Sequence, residues 1–184
     1  MNDIVISTER LTVRYLKESD KDEFIRGYVS SLPPKNRFDD GTVDLSDWSD
    51  EEHQALLERR KREADSDYCY TFNVFETVSG KSIGYCNIRT ICRENMQCAE
   101  IGYTVFNNYW GNGFGTEVVM ALTSIGFDIL GFHRLEAYVN LDNPTSKRVL
   151  KKCGYKLEGI REAYLNEDGV WTDNEVYYKI NNIT

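Results

Sequence analysis

Residues 99–117, AEIGYTVFNNYWGNGFGTE, hold the densest chemistry in the sequence. They read as a strand, a short loop with glycines at 111, 113 and 115, and the start of an apolar helix. Glycines carry no side chain, so the backbone N–H groups of such a loop can close on an anion, and the positive end of the helix dipole adds to the attraction. A pyrophosphate is the natural guest, and a turn that merely redirects the chain is the alternative. A dinucleotide-binding βαβ unit would also set glycines between a strand and a helix. Three features argue against that unit: Thr116 holds the third glycine position, the residues from Phe106 to Trp110 separate strand from first glycine, and Glu136 lies mid-strand where a ribose-binding acid should end it. Other chemistries fall away more simply. Only His53 and His133 could serve a histidine metal site, and cysteines at 69, 86, 92, 98 and 153 form no C-x-x-C pair. Neither a disulfide framework, a zinc ribbon, a serine-hydrolase elbow nor a P-loop is present.

These residues need elements to position them. Residues 10–16 alternate Leu11, Val13 and Tyr15 with polar neighbours, the pattern of a half-buried strand. Phe24, Ile25 and Tyr28 fall at helical spacing behind Ser19, which is expected to cap with Asp22. Pro33 and Pro34 block that helix. Ser49 and Glu52 form a capping box that starts a second helix over about 50–64. Beyond Asp67 the runs YCYTFNVFE, SIGYCNIRTI and CAEIGYTVF predict a three-stranded antiparallel meander. A long helix over 113–130 follows, with Val118, Val119, Leu122, Ile125, Phe127 and Ile129 on one broad face. Residues 134–140 read as a strand, Asn143 and Pro144 open a helix that Gly154 ends, and two strands flank the turn NEDG. The order β-α-α-β-β-β-α-β-α-β-β predicts one domain, 1–184, with a mixed sheet and helices on its faces.

Four motifs recur here in a fixed order: ERLTVRYL, AEIGYTV with YWGNGFGTE, DNPTSKRVLKKCGYKLEG, and a closing Gly169, Trp171, Asp173 and Tyr177. In these the chain resembles, over nearly its whole length, the GNAT superfamily of N-acetyltransferases and, more narrowly, its RimJ/RimL-like ribosomal-protein alanine acetyltransferase branch. The resemblance implies an α/β (α+β) fold, a mostly antiparallel sheet of about seven strands with helices on both faces and its fourth and fifth strands splayed into a V. It implies acetyl-CoA as donor in that V, with no metal. Backbone groups at Val105 would meet the pantetheine, and amides of Gly111, Asn112, Gly113, Phe114 and Gly115, with Thr116 starting the helix, would hold the pyrophosphate. Trp110 stands where the superfamily pattern has Arg or Gln, which puts the phosphate binding on main-chain amides. Asn143 matches the asparagine that contacts the pantetheine arm and also reads as a helix N-cap. Ser146 matches a serine proposed in this branch to protonate the departing thiolate, a solvated helix serine being the other reading. The tyrosine usual seven residues after the asparagine is Leu150 here.

Attack on a thioester needs a neutral amine, and an alkyl ammonium has a pKa near 10, so a base or water chain must take its proton. Glu100 is the first candidate, projecting with Gly102 and Thr104 to the face opposite Ile101, Tyr103 and Val105; a solvated surface glutamate is the competing reading. Tyr164 falls near a position where a relative carries a catalytic glutamate and reads as a packing aromatic. The run Arg59, Arg60, Lys61 and Arg62 reads as a solvated helix face, and Cys153 as an inert thiol.

The formal net charge is −8, from 30 acidic and 22 basic side chains, which argues against nucleic-acid or anionic-membrane partners. The opening residues are too charged for a signal peptide, so a cytoplasmic protein is expected. The function read from the sequence is an acetyl-CoA-dependent N-acetyltransferase acting by direct transfer to a primary amine of a small molecule or peptide, with a homodimer left open. The rival is a non-catalytic acetyl-CoA-binding sensor. Seven acids, Asp39, Asp40, Asp44, Asp47, Asp50, Glu51 and Glu52, predict a negative rim that would favour a cationic acceptor; a solvated capping segment is the alternative.

Overall fold

The computed structural model describes residues 4–181. It carries eight strands, β1 (Val5–Ser7), β2 (Leu11–Arg14), β3 (Cys69–Glu76), β4 (Ser82–Cys92), β5 (Cys98–Val105), β6 (Arg134–Asn140), β7 (Lys156–Glu167) and β8 (Val170–Ile180). Four helices accompany them: α1 (Lys21–Val29), α2 (Asp50–Asp65), α3 (Phe114–Ser124) and α4 (Pro144–Lys152). The strands form one sheet in the order β1-β2-β3-β4-β5-β6-β8-β7, antiparallel throughout except between β5 and β6.

Two helix starts show how local chemistry decides boundaries. Ser49 caps α2 as the sequence predicts: its hydroxyl accepts from the Glu52 amide at 3.1 Å, and the Glu52 carboxylate accepts from the Ser49 amide at 2.8 Å. Ser19 does not cap α1. A 3₁₀ turn over Glu18–Asp20 precedes the helix, and Asp20 accepts from the Lys17 amide at 2.8 Å while the Arg14 guanidinium clasps it at 2.6 and 2.8 Å. The helical turn begins before Ser19, with Lys17 at its cap, so Ser19 lies inside the turn and not at a cap position. The long helix after the glycines starts at Phe114 and ends in a π-type segment, Ile125–Ile129. The eighth strand, β1, is three residues long, too short to show a period in sequence.

The core lies between the sheet and α3 and α4, where Leu11, Phe72, Ile83, Ile101, Leu122 and Leu135 are buried. A smaller cluster around Phe24 and Phe75 seats α1 and α2 on the opposite face. Among the described residues no helix is long and apolar enough to cross a membrane.

What positions the site is the joint between β5 and β6. Their parallel pairing covers only Cys98↔Arg134, Ala99↔Leu135 and Glu100↔Glu136. Beyond it β5 runs on to Val105 and β6 to Asn140 without meeting, which opens the V that the sequence resemblance implied. Residues of β5 and β6 that share a face alternate along each strand. Ala137 and Val139 are therefore buried toward α3, while Glu136, Tyr138 and Asn140 stand on the face of α1 and α2.

Candidate active site

One wall of the V is β5. Its Phe106 amide, just beyond the strand, donates to Ile83 of the β4 edge at 2.9 Å, so by alternation the backbone groups of Tyr103 and Val105 point the other way, into the V. The Val105 carbonyl accepts the Trp110 indole N–H at 2.6 Å, which folds the loop back against the strand end.

The loop itself ends on Gly113, at φ 82°, a left-handed conformation that glycine adopts freely and that turns the chain into α3. Amides of Thr116 and Glu117 close on the Gly113 carbonyl at 3.1 and 3.3 Å. Those of Gly111, Asn112, Gly113, Phe114 and Gly115 donate to no protein group among the described residues, leaving five consecutive N–H groups at the positive end of a helix. The free amides thus run through Gly115; Thr116 lies inside the helix, and its amide is used there. Glu117 sits in the first turn of α3, next to these amides. Its charge is matched by Arg10, whose guanidinium clasps it at 2.6 and 2.8 Å and also donates to the Asn112 carbonyl at 2.9 Å. Burial alone would raise the Glu117 pKa, yet hydrogen bonds from Thr8, the Arg10 amide and the Arg10 guanidinium hold it below the ordinary carboxylate range.

Helix α4 faces the same opening. Asn143 caps it through Oδ1, which accepts from the Ser146 amide at 3.1 Å, so its Nδ2 remains as a donor. The Ser146 hydroxyl lies 2.9 Å from the Tyr103 hydroxyl. Burial pushes the Tyr103 pKa up to about 12, so it stays a neutral phenol at working pH. Leu150 is fully buried in the core. Cys153 is buried too, its thiol pushed up by burial and its Sγ donating to the Thr116 carbonyl at 3.4 Å.

On the other face, Glu100 projects as predicted. Its Oε2 accepts from Nε and Nη2 of Arg89, the first at 3.0 Å, and its Oε1 has no hydrogen-bond partner among the described residues. Beside it Glu136 accepts from Arg134 at 2.7 Å, the Tyr138 hydroxyl at 2.7 Å and Arg161 at 3.3 Å. Tyr164 packs edge-on against Tyr138 with ring centroids 4.8 Å apart, the aromatic role read from sequence. Further along, Tyr28 and Tyr85 stack at 6.1 Å, and Tyr85 lies in register with both Asn73 and Thr104.

The segment after α1 crosses the mouth of the V. Asn107, just past β5, receives the Leu32 amide at 2.6 Å and donates to the Leu32 carbonyl and to Asp39 at 2.7 and 2.9 Å. Arg37 reaches the far wall, clasping Asp142 beyond β6 at 2.6 and 2.9 Å and Glu167 of β7 at 3.0 Å. Most of the predicted acidic rim is spent inside this segment and α2. Asp39 binds Asn107 and the Lys35 and Gly41 amides, Asp44 caps the Ser46 amide, Asp50 pairs with Lys21, and Glu52 closes the capping box. Asp40 alone of these acids raises the pKa of both Tyr28 and Tyr85, beyond the effect of their burial. In the basic run Arg59, Lys61 and Arg62 are exposed as the sequence reading has them, and Arg60 departs from it: half-buried, it turns in under α2 and donates to Asn73 Oδ1 at 2.7 Å, because the helix presents that position to the sheet.

Residues 10–156 match the family described as Acetyltransferase (GNAT) domain. The protein of Bacillus subtilis (strain 168) named "Probable N-acetyltransferase YjcK" is 34% identical over 130 residues, which is 71% of this chain and 68% of that protein. With another curated relative the matched stretch spans only 45% of its length. Among solved structures, a ribosomal-protein-S5-alanine acetyltransferase from Vibrio fischeri superposes with a TM-score of 0.78 at 23% identity, covering 98% of both chains. RimJ of Mycobacterium smegmatis in complex with CoA-disulfide superposes with a TM-score of 0.75 at 21% identity, covering 92% of this chain and 81% of that one. The family match across most of the chain and the V it folds into lead to one assignment: the chain belongs to the GNAT family of N-acetyltransferases.

Proposed function

We propose that the chain transfers the acetyl group of acetyl-CoA to a primary amine by direct attack within one ternary complex. The observation that carries this reading is the row of five unpartnered amides, 111–115, beside a strand whose backbone is open toward the V. The amides fit a pyrophosphate, and the β5 edge fits the extended amide-bearing arm that follows it. Asn143, whose Oδ1 is taken by the Ser146 amide, would donate to that arm through Nδ2.

The reacting groups then follow from the two faces. The Val105 or Tyr103 N–H would polarise the thioester carbonyl, and Glu100 Oε1 would take a proton from the amine as the N–C bond forms. As the C–S bond breaks, Ser146 would give its proton to the sulfur, with the neutral Tyr103 phenol steadying and resupplying its hydroxyl. The test is calorimetry with acetyl-CoA, CoA and NADH, followed by thiol release with a panel of amines. Acetyl-CoA binding with amine-dependent thiol release is the expected result. Binding without release by any amine would make the chain a sensor, and preference for NADH would remove the reading altogether.

A further inference from the structure

The acceptor side of the V contains a cation that the transfer reaction does not use. Arg60 lies half-buried between α2 and the sheet, yet among the described residues no carboxylate lies within ion-pair distance of it. Its one hydrogen bond is to Asn73 Oδ1. Burial pushes its pKa down, and the more distant charge of Glu63 does not make up for it. Every other arginine held against this sheet face has such a partner: Arg89 has Glu100, and Arg134 and Arg161 have Glu136. A guanidinium offers five donors in a planar fork, so four of Arg60's are left for something else.

Its surroundings say where that something would lie. Asn73, which holds Arg60, is opposite Tyr85, and Tyr85 is opposite Thr104, on the part of β5 that has left β6. The three residues thus form a row that runs across the sheet from Arg60 to the lip of the V, over two strand spacings or about 10 Å. Tyr28 and Tyr85 stand along the row, both close enough to Arg60 to feel its charge, and Asp40 acts on the same two hydroxyls. The tyrosine pair thus feels a positive and a negative group together.

We infer that the acceptor is bipolar: its amine enters the V, and a carboxylate several bonds away binds the free fork of Arg60. This rests on the acetyl-transfer reading of the same site and narrows it to amino-carboxylates. The separation suits an ω-amino acid, the side-chain amine of free lysine, or a peptide N-terminus with an acidic side chain nearby, better than a polyamine. Asp40 would assist the arrival of the ammonium end, and Tyr28 and Tyr85 would line the path between the V and Arg60.

The test compares γ-aminobutyrate, free lysine and an Asp-containing N-terminal tripeptide with their methyl esters or amides, and with spermidine, in the thiol-release assay on the wild-type protein. The acids should show kcat/KM about 10- to 100-fold above their neutral forms, the range that a charge-assisted hydrogen-bonded pair supplies. The pattern among the three acids tells a free amino acid from a peptide. Arg60→Gln should erase the difference between acid and ester through KM, and Arg60→Lys should restore part of it. Equal turnover of acid and ester by the wild type, or preference for spermidine, overturns the proposal without any variant being needed. If no amine releases thiol, thermal shift decides the anion site separately. Stabilisation by γ-aminobutyrate in the presence of CoA that is lost in Arg60→Gln upholds it while the transfer reading fails, and no stabilisation overturns both.

Discussion

At the scale of single residues, the site divides labour between groups that are free and groups that are held. Glu100 Oε1 is free and Oε2 is held by Arg89, so the carboxylate keeps its orientation and still has an atom with which to accept a proton. Replacing it by Gln keeps the shape and removes the basicity. Turnover should fall roughly 10²- to 10⁴-fold at neutral pH, the usual worth of a positioned base, and recover in part as rising pH deprotonates the amine in solution. A variant within twofold of wild type across the profile would return Glu100 to the role of Arg89's surface partner. Ser146→Ala should cost less, because water can protonate a thiolate whose conjugate acid has a pKa near 8.5. Tyr103→Phe tests the hydroxyl behind it: kcat should drop by an amount close to that of Ser146→Ala, and the double variant should show no further loss. Additive losses would separate the two hydroxyls.

At the scale of elements, what local sequence encodes is what was legible in it. The capping box of α2, the Asn143-Pro144 start of α4 and the three meander strands all formed where spacing placed them, since each depends on neighbours within a few residues. The glycine loop was legible for the same reason. The long-range pairs around the V were not: Arg10 meets Glu117 across 107 residues, Arg37 meets Asp142 across 105, and Leu32 meets Asn107 across 75. No local pattern marks such pairs, and an arginine in a basic run, as Arg60 is, looks solvated until the helix is laid on its sheet. The loop itself can be tested at two glycines of unequal quality. Gly113 is left-handed, so any side chain there costs about 1–2 kcal/mol in the backbone before it meets a ligand. Gly115 is helical, and a Cβ there would touch Val149 and Tyr103 at ordinary distances of 3.6 and 3.9 Å. Gly115→Glu is therefore the cleaner probe: a folded protein, checked by circular dichroism, that has lost acetyl-CoA binding by calorimetry. Unchanged affinity in that folded variant would remove the phosphate role from the loop.

At the scale of the whole molecule, the V divides the sheet into two parts joined by three residue pairs of β5 and β6, and a polar network lies over that joint. Glu136 is its centre, 6% exposed and bound by Arg134, Arg161 and Tyr138. Burial alone would raise its pKa. The hydrogen bonds from Arg134 and Tyr138 and the two guanidinium charges outweigh that and hold it below the ordinary value. The sign for stability follows: a carboxylate whose pKa is lower folded than unfolded stabilises the fold above its unfolded value of about 4.3, and the contribution is lost as pH falls through the folded value. Glu117 beside the glycine loop has the same sign, so acid should loosen both the joint and the loop. Denaturant unfolding followed from pH 7 to pH 3 should accordingly show stability that is level near neutrality and declines below about pH 5. In Glu136→Gln the neutral-pH stability should be lower by roughly 1–3 kcal/mol, since two guanidinium groups then face an amide, and the decline below pH 5 should be shallower because one of the titrating groups is gone. A variant with the wild-type acid slope would place the titration elsewhere. A variant as stable as wild type at pH 7 would mean that the hydrogen bonds of β6 with β8, not the carboxylate, hold the second half of the sheet in place.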